Sequence, residues 1–164
     1  MTIGRANFER PHVFVLPEDR ANAEVVNGFL KHPSVPSRTI QVLNPADGWI
    51  KVLEDFESRE IAKMRQYPKR FMVLLIDFDG HLERTSYARS KVPVDLVDKV
   101  FILGSLMTPE NLQSAGLGKR EEIGFALAED CRKDTNEVWG HDLLRHNAGE
   151  LARLREYVRP ILFS

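Results

Sequence analysis

An α/β fold built on a mainly parallel sheet is what this sequence predicts, and three observations carry that reading. Short β-branched or aromatic runs alternate with segments of helical periodicity along the chain, an order that favours a parallel sheet with helices on both faces. One run, residues 71–76, is apolar without interruption, the pattern of a central strand covered on both sides. The 164 residues suit a single domain and no linker or repeat divides them; at that size roughly 70 % of the unfolded surface is buried on folding.

Taken in order, residues 12–16 read as a strand stopped by Pro17. Over residues 21–32 the apolar positions Val25, Val26, Phe29 and Leu30 share one helical face, and Pro33 and Pro36 end that helix. Residues 39–43 form a second strand closed by Asn44 and Pro45. A turn at Asp47 and Gly48 leads into a long helix with Ile50, Leu53, Ile61 and Met64 spaced for one apolar stripe. Residues 71–76 and 100–103 supply the third and fourth strands. Thr108, Pro109 and Glu110 then follow the order of a helix start: cap, proline at the first position, acid in the first turn. The remainder reads as helices around residues 123–128 and 143–157. The expectation is a compact four-stranded core over residues 11–117 with a C-terminal helical extension over 118–164.

Composition narrows the functional classes. A hydrophobic share of 43 % and a charged share of 29 % belong to an ordinary globular chain. The one cysteine, Cys131, excludes an internal disulfide and a cysteine-based zinc cluster, and suits a reducing, cytoplasmic setting. The first ten residues lack the apolar centre of a signal peptide. No apolar run approaches the roughly 20 residues that cross a bilayer, so no membrane partner is expected. The net charge of −1 gives no global attraction to nucleic acid, and phosphate binding must come from a local basic patch.

The chemistry sits at the strand ends. In open parallel sheets ligands bind beyond the carboxyl ends of the strands. Glu18 and Asp19 follow the first strand, Asp77 and Asp79 the third, and Ser105 and Glu110 the fourth. In an extended segment Asp77 and Asp79 point to one side and Phe78 to the other. Together with Glu18 they make a hard oxygen site suited to Mg²⁺ or Mn²⁺, and a cation relieves the repulsion that would otherwise raise their pKa values. Arg84, Arg89 and Lys91 belong to a stretch expected to hang over this site and bind phosphates. His81 is a further neighbour of the aspartate pair. The plainer roles of the same residue types are helix caps and turns, and for Glu110 a first-turn acid balancing the helix dipole. His141 and His146, five apart, do not share a face and argue against a zinc pair. Cys131, Trp49 and Trp139 are expected in the core or at helix starts, and no basic stretch interleaved with aromatics suggests single-strand stacking.

An apolar strand ending in Glu18, followed by an apolar strand ending in Asp77-Phe78-Asp79, resembles the Toprim domain of topoisomerases, bacterial primases, small ribosomal-RNA maturases, recombination mediators and nucleases of the overcoming-lysogenization-defect class. The resemblance implies a Toprim-like sheet, Glu18 as acid or base, Asp77 and Asp79 as ligands of Mg²⁺, and Glu110 as holder of a second ion. It implies a small nuclease or nuclease subunit that cleaves DNA or RNA, with an ATPase partner protein in antiphage defence. Apart from the resemblance, a homo-oligomer is among the expected assemblies. The chain departs from the family pattern where Asp19 stands for a glycine after the glutamate, and where Leu82 stands for a glycine beyond the aspartates. Residues 76–80 also resemble the first motif of haloacid-dehalogenase-like phosphatases, with Asp77 as nucleophile, Asp79 as acid–base and Ser105 as phosphate-binding hydroxyl. A third reading is a non-catalytic interaction subunit whose C-terminal helices dock a partner.

Overall fold

The computed structural model describes residues 5–163. Residues 1–4 of the leading segment discussed above, and residue 164 of the C-terminal extension, lie outside the described residues. The chain forms β1 (His12–Pro17), α1 (Arg20–Leu30), β2 (Ile40–Val42), α2 (Trp49–Asp55), α3 (Ile61–Gln66), β3 (Arg70–Leu75), α4 (Arg84–Arg89), β4 (Val100–Leu103), α5 (Pro109–Ser114), α6 (Arg120–Lys133), α7 (Ala148–Tyr157) and α8 (Arg159–Leu162). The strands make one sheet in the order β2-β1-β3-β4. Every pairing is parallel, with Pro17 opposite Leu75 and Leu75 opposite Leu103.

Strand alternation divides the core in two. Val13, Val15, Val73, Phe101 and Leu103 face α1, α5, α6, α7 and α8. Phe14, Leu16, Met72, Leu74, Ile76 and Ile102 face α2, α3 and α4. Each such side chain taken out of water contributes about 1.5–3 kcal/mol, which explains why β1, β3 and β4 carry apolar residues at nearly every position rather than at alternate ones.

This strand order has a reversal point. From β1 the chain passes through α1 to β2 on one side, and later through α4 from β3 to β4 on the other. The neighbours β1 and β3 therefore send their connections to opposite faces, which opens a crevice between their carboxyl ends.

The helices deviate from the sequence expectation in three places. The long helix is interrupted by a wider π-type turn over Phe56–Glu60, which carries Glu60 indoors, and Ile50 lies outside the buried stripe at 40 % exposure. Residues 84–89 are a short helix, with Ser90 and Lys91 in the turn after it, rather than a loop over the site. The terminal helix begins at Ala148 rather than near residue 143, because Asn147 is turned inward: its amide nitrogen donates to the carbonyls of Gly104 and Leu144, at 2.9 and 2.8 Å.

Two close approaches fix the layers. At Gly28 an added Cβ would lie 2.0 Å from the Glu121 carbonyl oxygen, and at Gly124 one would lie 1.8 Å from that of Val25. Helices α1 and α6 thus touch backbone to backbone, which packs the extension onto the core. Asp130, 2 % exposed, accepts from Thr135 Oγ1 and from the amides of Glu137, Val138 and Trp139, so one buried carboxylate shapes the turn after α6. Trp139 is buried with its indole N–H donating to the Leu127 carbonyl, and Cys131 is buried in the same core. No helix among the described residues is long and apolar enough to cross a membrane.

Candidate metal centre

At the carboxyl ends of β1 and β3, oxygens of Glu18, Asp19 and Asp77 lie within 4.8 Å of one another. The sequence accounts for the position of each. Asp77 continues the alternation of β3: Val73 and Leu75 lie on the α1 side, so the residue two further on is turned toward the start of α1. Asp19 caps α1, its Oδ1 accepting from the backbone N–H of Asn22 at 2.9 Å. Glu18 extends the β1–β3 ladder, its N–H donating to the Leu75 carbonyl at 2.8 Å. Its Oε1 accepts from the Asp77 backbone N–H at 3.0 Å.

Asn22 binds the group together and escaped the sequence reading. It is 3 % exposed, and its amide nitrogen donates to Asp19 Oδ1 at 2.9 Å and to Asp77 Oδ1 at 3.1 Å. The available signal was its place as the third helical residue after the cap, where a side chain lies beside the capping carboxylate.

Burial sets the electrostatics. Asp77 is 4 % exposed. Loss of water pushes its pKa up to about 7, against the Asn22 hydrogen bond that lowers it, and with Glu18, Asp19 and Asp79 raising it further. Glu18 is also raised, first by burial and then by Asp19 and Asp79; the Asp77 amide and the Arg84 guanidinium work in the other direction. A metal ion would take the place of the proton on Asp77, and an all-oxygen donor set at this separation could hold one.

Asp79 stands beside the cluster rather than in it. Its φ of 49° puts the backbone in the left-handed region, so the extended alternation that would aim it alongside Asp77 ends at Phe78. Its Oδ2 accepts from Arg84 Nη1 at 3.2 Å, and the same nitrogen donates to the Asp77 carbonyl at 2.8 Å. Arg84 is therefore held at the site, with its guanidinium 4.4 Å from the Trp49 ring centre.

The structure sends the other candidates elsewhere. Arg89 lies five residues on from Arg84 and points off that helical face; it donates to Glu150 at 2.7 and 2.8 Å and to the Val100 carbonyl at the far end of β4. The Lys91 ammonium lies 5.2 Å from the Tyr87 ring centre. Glu110 pairs with Arg120 at 3.0 Å, and Arg120 also holds Glu24 at 2.9 Å. His81 is exposed and lies 3.3 Å from Glu83. The Ser105 hydroxyl is spent inside its own loop, donating to the Thr108 carbonyl and accepting from the Met107 N–H.

No protein-family model, curated protein or solved structure matches this chain. The chemistry open to the site therefore follows from its own geometry: a half-buried carboxylate cluster able to hold a metal ion, at the reversal point of a parallel sheet, with one guanidinium fixed beside it.

Proposed function

We propose that this chain is a divalent-cation-dependent phosphodiesterase of the Toprim type that acts on nucleic acid. The observation that carries the reading is the convergence of Glu18, Asp19 and Asp77 between β1 and β3. Acids after the first and third strands, meeting where an open sheet reverses, match the order and location that the resemblance implies. Mg²⁺ or Mn²⁺ is the cation this donor set suits, since every donor is a hard oxygen.

In this reading Asp19 and Asp77 hold the cation, and Asp79 keeps Arg84 in place. Asp19 Oδ1 already accepts twice from Asn22, which leaves Oδ2 for the metal. The bound cation supplies charge stabilisation at the phosphoryl oxygens. Glu18, whose pKa is raised mainly by burial, carries the proton between the attacking water and the leaving oxygen. Arg84 binds a non-bridging phosphate oxygen as the attacked phosphorus gathers negative charge. The start of α1 adds the positive end of a helix dipole to the same crevice. An ATPase partner in antiphage defence belongs to the same proposal through the resemblance alone, and a cytoplasmic setting through the single cysteine; assembly into a homo-oligomer is part of the proposal too.

Calorimetric titration with Mn²⁺ and Mg²⁺, paired with plasmid and RNA cleavage, tests it. Binding and cleavage are expected in the wild type and lost together in Asp77→Ala. In Asp79→Ala binding should persist while cleavage falls. Absence of divalent binding by the intact protein refutes the proposal.

A further inference from the structure

Beside the carboxylate cluster lies an open cleft of about 310 Å³ lined by Trp49, His81, Glu83, Arg84 and Tyr87. Its aromatic residues come from different parts of the chain. Trp49 opens α2 and Tyr87 lies in α4, and their rings meet edge to face at 5.6 Å. Tyr87 is 46 % exposed, so its ring is open to solvent at the cleft. Each ring carries a cation, Arg84 at 4.4 Å from the centre of Trp49 and Lys91 at 5.2 Å from that of Tyr87.

The cleft is fixed to the cluster from two sides. The carbonyl of Glu18 accepts from the N–H of Asp47 at 2.7 Å and of Gly48 at 3.3 Å, so the turn that presents Trp49 hangs on a residue of the cluster. Arg84 spans the two, with its guanidinium against Trp49 and its Nη1 on Asp77 and Asp79.

We infer that this cleft is a base-stacking subsite, which receives one unpaired nucleobase next to the phosphate held at the carboxylate cluster. The inference rests on the phosphodiesterase reading above and deepens it: the substrate is a single-stranded segment. Exposed aromatic rings interleaved with cations are the surface on which unpaired bases stack while their phosphates are neutralised. A base kept in a duplex presents its edges rather than its face. Trp49 and Tyr87 supply the stacking faces, and Lys91 and Arg84 meet the phosphates on either side.

Trp49 makes the subsite directly observable, because its fluorescence changes when a base stacks on it. The full chain is titrated in EDTA with a single-stranded thymidine dodecamer, the same strand in duplex, and a dodecamer with abasic positions. Quenching by the single strand is expected, at least tenfold tighter than by the duplex or the abasic strand. Tyr87→Ala should weaken binding about tenfold, the scale of one lost stacking contact, and Trp49→Phe should abolish the quench while binding by anisotropy persists. Tyr87 is surface-exposed, so its variant tests the inference even where a Trp49 change disturbs α2. Equal affinity for normal and abasic strands, or an unchanged affinity in Tyr87→Ala, overturns it. Quenching without any metal-dependent cleavage leaves the subsite standing and removes the catalytic reading; cleavage with no preference for single strands does the reverse.

Discussion

Replacing Asp77 by asparagine should make the metal-free protein more stable, which is the unusual consequence of a buried carboxylate kept for binding. The carboxyl is 4 % exposed and its pKa rises from 3.8 to about 7. Between those values the folded state binds a proton that the unfolded chain has released. Wild-type stability therefore declines as pH rises from about 4 to 7, and the loss is complete above that. At 1.36 kcal/mol per pH unit the cost of the charged form reaches about 4 kcal/mol. Rearrangement of the more exposed carboxylates around it reduces the gain expected for Asp77→Asn to about 2 kcal/mol. The amide oxygen keeps the Asn22 hydrogen bond, and the new N–H₂ finds acceptors in Glu18 and Asp19. Urea unfolding in EDTA, followed by circular dichroism at pH 5 and pH 8, measures this. With an m-value of about 2 kcal/mol/M, the midpoint should move up by about 1 M at pH 8 and by less than about half of that at pH 5, where the linkage loss is only partly developed. Saturating Mn²⁺ should reverse the ranking, since only the wild type gains binding free energy. A variant less stable than wild type at pH 8 without metal, or a difference of equal size at both pH values, would refute the burial account of Asp77.

Other expectations follow from single contacts. Gly124→Ala should cost about 3 kcal/mol in thermal unfolding, because its Cβ would overlap the Val25 carbonyl and part α1 from α6. Arg89→Ala should destabilise the fold by only about 1–2 kcal/mol, since Glu150 keeps Arg153 Nη1 and the Ile102 N–H as partners, yet leave oligonucleotide affinity unchanged, as measured by fluorescence anisotropy. For Asp130, burial raises the pKa, but the Thr135 hydroxyl and three backbone amides more than offset this and hold it below the ordinary value. Its contribution is present above the ordinary aspartate range and fades as pH falls through the depressed value. Asp130→Asn should therefore lose about 3 kcal/mol at pH 7 and approach the wild type in acid.

Much of the fold was legible because its determinants are local. Uninterrupted apolar runs such as residues 71–76 have one economical fate in a chain of this size, a strand covered on both faces, and the prolines and glycines between runs mark where each element stops. Acids directly after β1 and β3 could likewise be read as strand-end groups, and Glu18 and Asp77 do meet. Which partners they meet was not legible. Asp79 looked like the companion of Asp77, but a left-handed backbone and the Arg84 guanidinium draw it aside, while Asp19, read as a neighbour, enters the cluster through Asn22. Arg89 is held by Glu150, 61 residues away, and Trp49 meets Tyr87 only because their helices cover the same face of the sheet. The strands, the two-sided core and the acids at the strand ends follow from local pattern, since hydrophobic period and turn chemistry act over a few residues. The tertiary structure alone decided the order β2-β1-β3-β4, and with it the crevice, the cluster and the aromatic cleft. Those depend on which strands become neighbours, a choice set by the packing of whole layers that no local pattern encodes.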